Sequence, residues 1–423
     1  MHPFKIIFLA TLLAHLAVQL WLARRQVNHV AARRAVVPQA FAEVVTPAEH
    51  MKAADYTVAR QRLGMVQAIF DSAILLAATL GGGIAAASAL VTAAGTGPIA
   101  SGTLLVLVVF TALGVLALPF GIYRTFVVEQ RFGFNRTTPA TYIVDLVKGW
   151  LLASVLGGSV TACVLWIMRG LGPWWWLAGW LAWTVFTLLL TWAWPRFLAP
   201  IFNKFRPLED PALRERIDAL LGRCGFHAKA IYVMDGSRRS AHGNAYFTGI
   251  GREKRIVFFD TLLATLTPPQ VESVLAHELA HFRLRHVPQR LLIGLLASLA
   301  GFALLGWLAR QGWFYAALGV PEPGDASALV LFILVAPVFT WLVSPLASAW
   351  SRRHEFQADA FAARHSDAHA MASALVTLYR DNASTLTPDP VHSVFYDSHP
   401  PPAARIERLL KSPSATPVSA TSP

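Results

Sequence analysis

The sequence predicts a mainly α-helical, polytopic membrane protein: seven transmembrane helices, with a small α+β segment at the cytosolic face. Three observations predict it. Apolar residues make up 55% of the 423 positions and charged residues only 14%, where a soluble domain carries about 25% charged. The apolar residues collect into runs long enough to cross a bilayer, which takes about 20 residues. The basic residues behind the net charge of +12 collect in alternate loops, as in a membrane protein oriented by its positive side. No nucleic-acid-binding motif accompanies that charge, so a nucleic-acid partner is not expected.

The spans follow in order at about 4–23, 65–93, 102–122, 148–168, 174–194, 290–309 and 327–349. The first resembles a signal peptide in position, but it is long and no clear small-x-small cleavage site follows, so it reads as a retained span. The second contains Gly81-Gly82-Gly83, which marks a tilt or break, and it carries Asp71. An ionisable residue at that depth is either functional or an interfacial, chamber-facing carboxylate; the second reading is preferred. Between the spans, loop 24–64 holds Arg24, Arg25, Arg33, Arg34, Lys52, Arg60 and Arg62, whereas loop 96–101 has no charge. Loop 123–147 has Arg124, Arg131 and Arg136, and loop 169–173 only Arg169. Segment 195–289 is strongly basic, loop 310–326 sets Arg310 against Glu322 and Asp325, and the chain after 350 is basic again. This alternation puts the N-terminus outside and the C-terminus in the cytosol, the opposite placement that seven spans demand.

The expected organisation is therefore spans 1–5 in 1–194, a cytosolic segment in 195–289, spans 6 and 7 in 290–349, and a second cytosolic segment in 350–411. Residues 412–423 are rich in Ser, Thr, Pro and Ala and read as a disordered tail. Cys163 and Cys224 lie in unlike surroundings without a Cys-x-x-Cys partner, so no disulfide is expected.

Chemistry concentrates in His277-Glu278-Leu279-Ala280-His281. Thr267 followed by Pro268-Pro269 is a helix start, and the residues after it are strong helix formers. On that helix His277 and His281 stand at i and i+4 and project from one face, the spacing two zinc ligands need. Glu278 beside the open coordination position would take a proton from zinc-bound water and return it to the leaving amine. A catalytic zinc needs a third protein ligand. The metzincin pattern fails, because Leu284 and Val287 stand where it needs Gly and His. His286 reads as a surface group or as support for a ligand. A second helix, Ser351 to Ala362, presents Glu355 and Asp359 at i and i+4. Two readings of it are open. Glu355 completes a His2Glu site while Asp359 accepts a hydrogen bond from a ligand histidine, or both carboxylates pair with Arg352 and Arg353 on a solvated face. Residues 230–234, 245–249 and 255–259 read as short strands with a turn at 251–254. An exposed edge beside the zinc helix is suited to holding an extended peptide by strand addition.

Several blocks, in order over roughly 120–410, resemble the type I CAAX prenyl endopeptidase family of integral membrane gluzincins. They are Glu129 to Arg136, Pro200 to Phe205, Pro207 to Asp210, Asp235 to Ser240, Asn244 to Phe247, the zinc helix, Ser351 to Asp359, and His399-Pro400-Pro401 with Arg405. The resemblance implies one Zn2+ held by His277, His281 and Glu355, with Glu278 as the general base. It implies that Asn244 holds the substrate backbone and that His399 and Arg405 line the site, contacting substrate or stabilising the oxyanion. It also implies a ring of helices enclosing a water-filled chamber, and a peptide or membrane-protein substrate, possibly lipidated. His354 departs from the aromatic residue expected before the ligand glutamate, and Gly243 and Thr248 depart from the commoner Ser and Tyr. The C-terminus lacks a dilysine-type retrieval signal and the chain is rich in Ala and Arg, which points to a bacterial inner-membrane homologue. Two rival functions are weighed: a quality-control protease without prenyl specificity, and a non-proteolytic chamber that clears translocation channels. The intact Glu278 and the full ligand set favour catalysis.

Overall fold

The structure, a computed structural model, describes residues 2–226, 230–248 and 255–411. The tail from 412, the turn at 251–254 and Gly249 lie outside the described residues.

Six helices are long and apolar enough to cross a membrane, and a bent pair supplies the seventh. The spanning helices are Pro3–Ala32, Pro98–Glu129, Pro139–Gly170, Gly172–Phe202, His286–Leu308 and Asp325–His365, and the bent pair is Pro47–Ala78 with Gly83–Thr92. All seven apolar runs of the sequence fall on these helices. The bend of 51° occurs where the glycine triplet predicts a break. Gly82 is left-handed at φ +79, and a Cβ on Gly81 would stand 2.6 Å from Ala77 O. The chain must therefore be glycine where it turns.

The spans bury little of themselves. The apolar window of Gly172–Phe202 is 6% buried and that of His286–Leu308 17%. Helices in a solid bundle each bury a whole stripe. A core of Phe8, Ile84, Leu105, Leu165, Tyr315 and Leu331 joins several of the spans.

A second core belongs to the α+β part. It unites Ile217, Ile256, Phe258, Leu275, Leu279, Leu375 and Ile406, each worth about 1.5–3 kcal/mol if fully buried. The sheet has four strands: β1 (Phe205–Pro207), β2 (Ala230–Met234), β3 (Ala245–Thr248) and β4 (Arg255–Phe259). Their order is β1-β2-β4-β3. β2 and β4 run parallel, with Tyr232 opposite Val257. β1 and β3 are antiparallel to their neighbours, with Arg206 opposite Val233 and Tyr246 opposite Val257. Among the described residues β3, which follows Asn244, therefore stands at an edge of the sheet. β1, three residues long and ending in proline, is not among the strands the sequence predicts.

Two connections fix this part to the membrane. The helix with both histidines, Pro268–Arg283, ends two residues before the spanning helix His286–Leu308. The linking Arg285 adopts a left-handed conformation, φ 60. The helix with Glu355, Ser344–His365, continues the seventh span through one 3-10 turn, Trp341–Val343.

Candidate metal centre

The histidine helix starts where Thr267 N–H donates to Gln270 Oε1 at 2.8 Å, with Pro268 and Pro269 in its first turn. Val271, Leu275 and Leu279 face the core. Buried Glu272 on the same helix accepts from Arg216 at 2.7 Å and also from Arg223, which ties the helix to Pro211–Arg223. The helix is therefore held along its length, and its remaining face carries His277, Glu278 and His281.

The Glu355 helix packs against that face. His277 Nε2 is 3.3 Å from Glu355 Oε2, and His281 Nε2 is 3.6 Å from Glu355 Oε1. The two Nε2 atoms are 3.4 Å apart. Donors placed tetrahedrally about 2.1 Å from a zinc ion stand about 3.4 Å from one another. The three side chains therefore fit one small tetrahedral cation. Glu355 Oε2 is buried and accepts no hydrogen bond, a costly state for a carboxylate oxygen unless a cation meets it. Among the described residues, this trio is the one group of three or more His, Cys, Asp or Glu able to hold a metal.

Around the trio stands a layer of supports. His277 Nδ1 lies 2.9 Å from Asp359 Oδ1. Asp359 in turn receives Arg405 as a fork, Nε on Oδ2 at 2.8 Å and the terminal nitrogen on Oδ1 at 2.6 Å, all buried. The resemblance implies that Arg405 lines the site on the substrate or the oxyanion; in the structure it donates to Asp359 and comes no nearer than 3.9 Å to Glu355 Oε2. Arg352, the alternative partner for the carboxylates, donates instead to the backbone carbonyls of Ser393 and Asp397. His399 is exposed, with Nε2 3.4 Å from Glu355 Oε2, and its Nδ1 is bonded to Ser398 Oγ at 2.9 Å. Asn244 is exposed just before β3, and its Oδ1 accepts from Ala245 N–H at 2.8 Å.

Burial and charge tune these groups. Burial alone would depress the His277 imidazole, but Asp359 and Glu355 outweigh it and push it up to about 9 in the metal-free protein. Burial and the charge of His277 bring His281 down to about 3. Burial, aided by Glu355, raises the Glu278 carboxyl group, which makes it a stronger proton acceptor. The sequence reads His286 as a surface group or as support for a ligand, and gives His354 no role. Their rings stack, with centroids 3.9 Å apart, beside His281. The signal is a histidine five residues beyond the candidate ligand His281 and another one before Glu355.

Comparison with known proteins gives matches over both halves. Residues 26–204 match the family model described as CAAX prenyl protease N-terminal, five membrane helices, and residues 207–412 match peptidase family M48. The chain is 35% identical to CAAX prenyl protease 1 of Saccharomyces cerevisiae, over 69% of this chain and 68% of that one. It is 34% identical to a CAAX prenyl protease 1 homolog of Arabidopsis thaliana, over 71% of each. Against the human homolog it is 31% identical over 72% of each. The crystal structure of S. mikatae Ste24p superposes with a TM-score of 0.89 at 28% identity, covering 97% of this chain and 99% of that one.

Proposed function

This chain belongs to the M48 peptidases, in their CAAX prenyl protease branch of multi-pass membrane metalloendopeptidases, and on that premise we propose that it hydrolyses peptide bonds with one zinc ion held by His277, His281 and Glu355. The observation that carries the assignment is the set of three donor-to-donor distances, 3.3, 3.4 and 3.6 Å, next to Glu278. When bound, zinc supplies a Lewis acid for the scissile carbonyl and for the attacking water. Glu278 removes the proton from that water and delivers it to the leaving amine. Asn244 and the free edge of β3 receive the peptide in extended form. His399, at the rim, donates to the carbonyl oxygen as it gains charge. Asp359 keeps His277 oriented, and Arg405 acts through Asp359 rather than on the substrate.

The substrate we propose is a peptide or membrane protein carrying a lipid near its cleavage site. The relatives named as CAAX prenyl proteases support this. Composition supports a bacterial inner membrane; the relatives named above are eukaryotic. The loop arginines support an outside N-terminus with the zinc site facing the cytosol.

The test is an assay of purified wild type and Glu278→Gln on a farnesylated CAAX peptide and on the same peptide without lipid. Cleavage by wild type alone, faster with the lipid, is the expected result. Equal rates with and without lipid would favour a quality-control role. No zinc-dependent cleavage of either peptide would overturn the peptidase reading.

A further inference from the structure

The two histidines present the same nitrogen to the cluster but rest on unlike supports. His277 leans on a carboxylate, Asp359. His281 leans on a second imidazole: its Nδ1 is 3.1 Å from His286 Nδ1, and His286 Nε2 is 2.9 Å from Gln357 Oε1. We propose that His286 and Gln357 are positioning residues that fix the tautomer of His281 through this two-bond relay, so that the His281 Nε2 lone pair faces the metal. The inference rests on the metal centre proposed above.

Proton counting gives the direction of the relay. A neutral imidazole has one N–H and one lone pair. A ligating nitrogen must be bare, and Nε2 of His281 is the atom aimed at His277 Nε2 and Glu355 Oε1. His281 must then carry its hydrogen on Nδ1 and donate it to His286 Nδ1. His286, accepting there, holds its own hydrogen on Nε2 and donates it to the amide oxygen of Gln357. The reverse order would put the hydrogen on His281 Nε2, where it would block coordination.

The relay is built rather than incidental. His286 is 2% exposed, and its plane is clamped by His354, stacked at an interplanar angle of 3°. His354 is held edge-on by Trp350, with centroids 4.4 Å apart. This gives His354 a purpose: a flat ring that packs on His286. Gln357 comes from the same helix as Glu355. One helix therefore supplies both the third ligand and the end of the relay, and the two stay in register.

An amide can accept or donate, a carboxylate can only accept and an ammonium can only donate. Gln357 is exposed, so either replacement is tolerated sterically. The experiment measures zinc affinity by chelator competition on purified full-length wild type, Gln357→Glu, Gln357→Lys and His286→Leu, with thermal unfolding in parallel. Wild type is expected to bind one zinc per chain. Gln357→Glu should bind at least as tightly, and Gln357→Lys more weakly, by about 10–100-fold. His286→Leu should weaken binding by a similar factor. In metal-free protein with 15N-labelled histidine, the His281 resonance should report a hydrogen on Nδ1. Equal affinities for the Glu and Lys variants, or an Nε2-protonated His281, would overturn the relay. Should His286→Leu fail to fold, the Gln357 pair decides. A wild type that binds no zinc overturns the metal centre, and the relay falls with it.

Discussion

Glu278 and His277 are neighbours whose protons answer to different forces, and each yields a measurement. Replacing Glu278 by Gln removes the proton acceptor without touching a ligand. Turnover should fall by about 10²–10⁴-fold while zinc per chain, read by atomic emission, stays at one. His277 holds its proton up to about 9 in the metal-free chain, against an ordinary value of about 6.5. A raised value stabilises the fold fully below pH 6.5, and that stabilisation is lost as pH rises toward 9. Zinc must displace the same proton. Calorimetry in buffers of different ionisation enthalpy should therefore show about one proton released per zinc at pH 7, with apparent affinity climbing up to about pH 9. Arg405→Ala leaves Asp359 buried without its fork and should cost about 3–5 kcal/mol by denaturant titration. The i, i+4 histidines were legible because helical spacing alone puts them together. The Arg405–Asp359 pair was not, since 46 residues separate its members and either could serve as a surface charge.

Among the elements, the bend in the second span shows how a break is paid in backbone geometry. Gly319, on the loop after the sixth span, is left-handed at φ +80, and a Cβ there would stand 2.4 Å from Thr79 O. That contact seats the loop against the end of Pro47–Ala78. Gly319→Ala should therefore destabilise by about 1–3 kcal/mol, read as a lowered unfolding temperature in detergent. Arg285 is the contrary case. It occupies left-handed space that suits glycine, so Arg285→Gly should leave stability unchanged or raise it by up to about 1 kcal/mol. Spans and the glycine break were readable because hydropathy and glycine runs are local signals. β1 was not, because three residues ending in Pro207 carry no period; its pairing with β2 supplies what the sequence lacks.

On the scale of the whole molecule, the proposed sidedness rests on the arginines of alternate loops taken together. Single cysteines introduced at Thr96 and at Lys52 should label oppositely with an impermeant maleimide on intact cells: the first reactive, the second protected until the membrane is opened. The reverse pattern would invert the proposed orientation. The connection of both helices of the proposed metal centre to spans six and seven has a mechanical consequence. His281 and Glu355 stand 74 positions apart, and a cation gripping both acts as a removable rivet closing that long loop. A rivet favours the closed arrangement by its own binding free energy, so the membrane helices and the ion must strengthen each other. Chelation should loosen spans six and seven in hydrogen exchange, and a bilayer thickness that splays them should weaken the hold on zinc, which lets the membrane itself tune the enzyme.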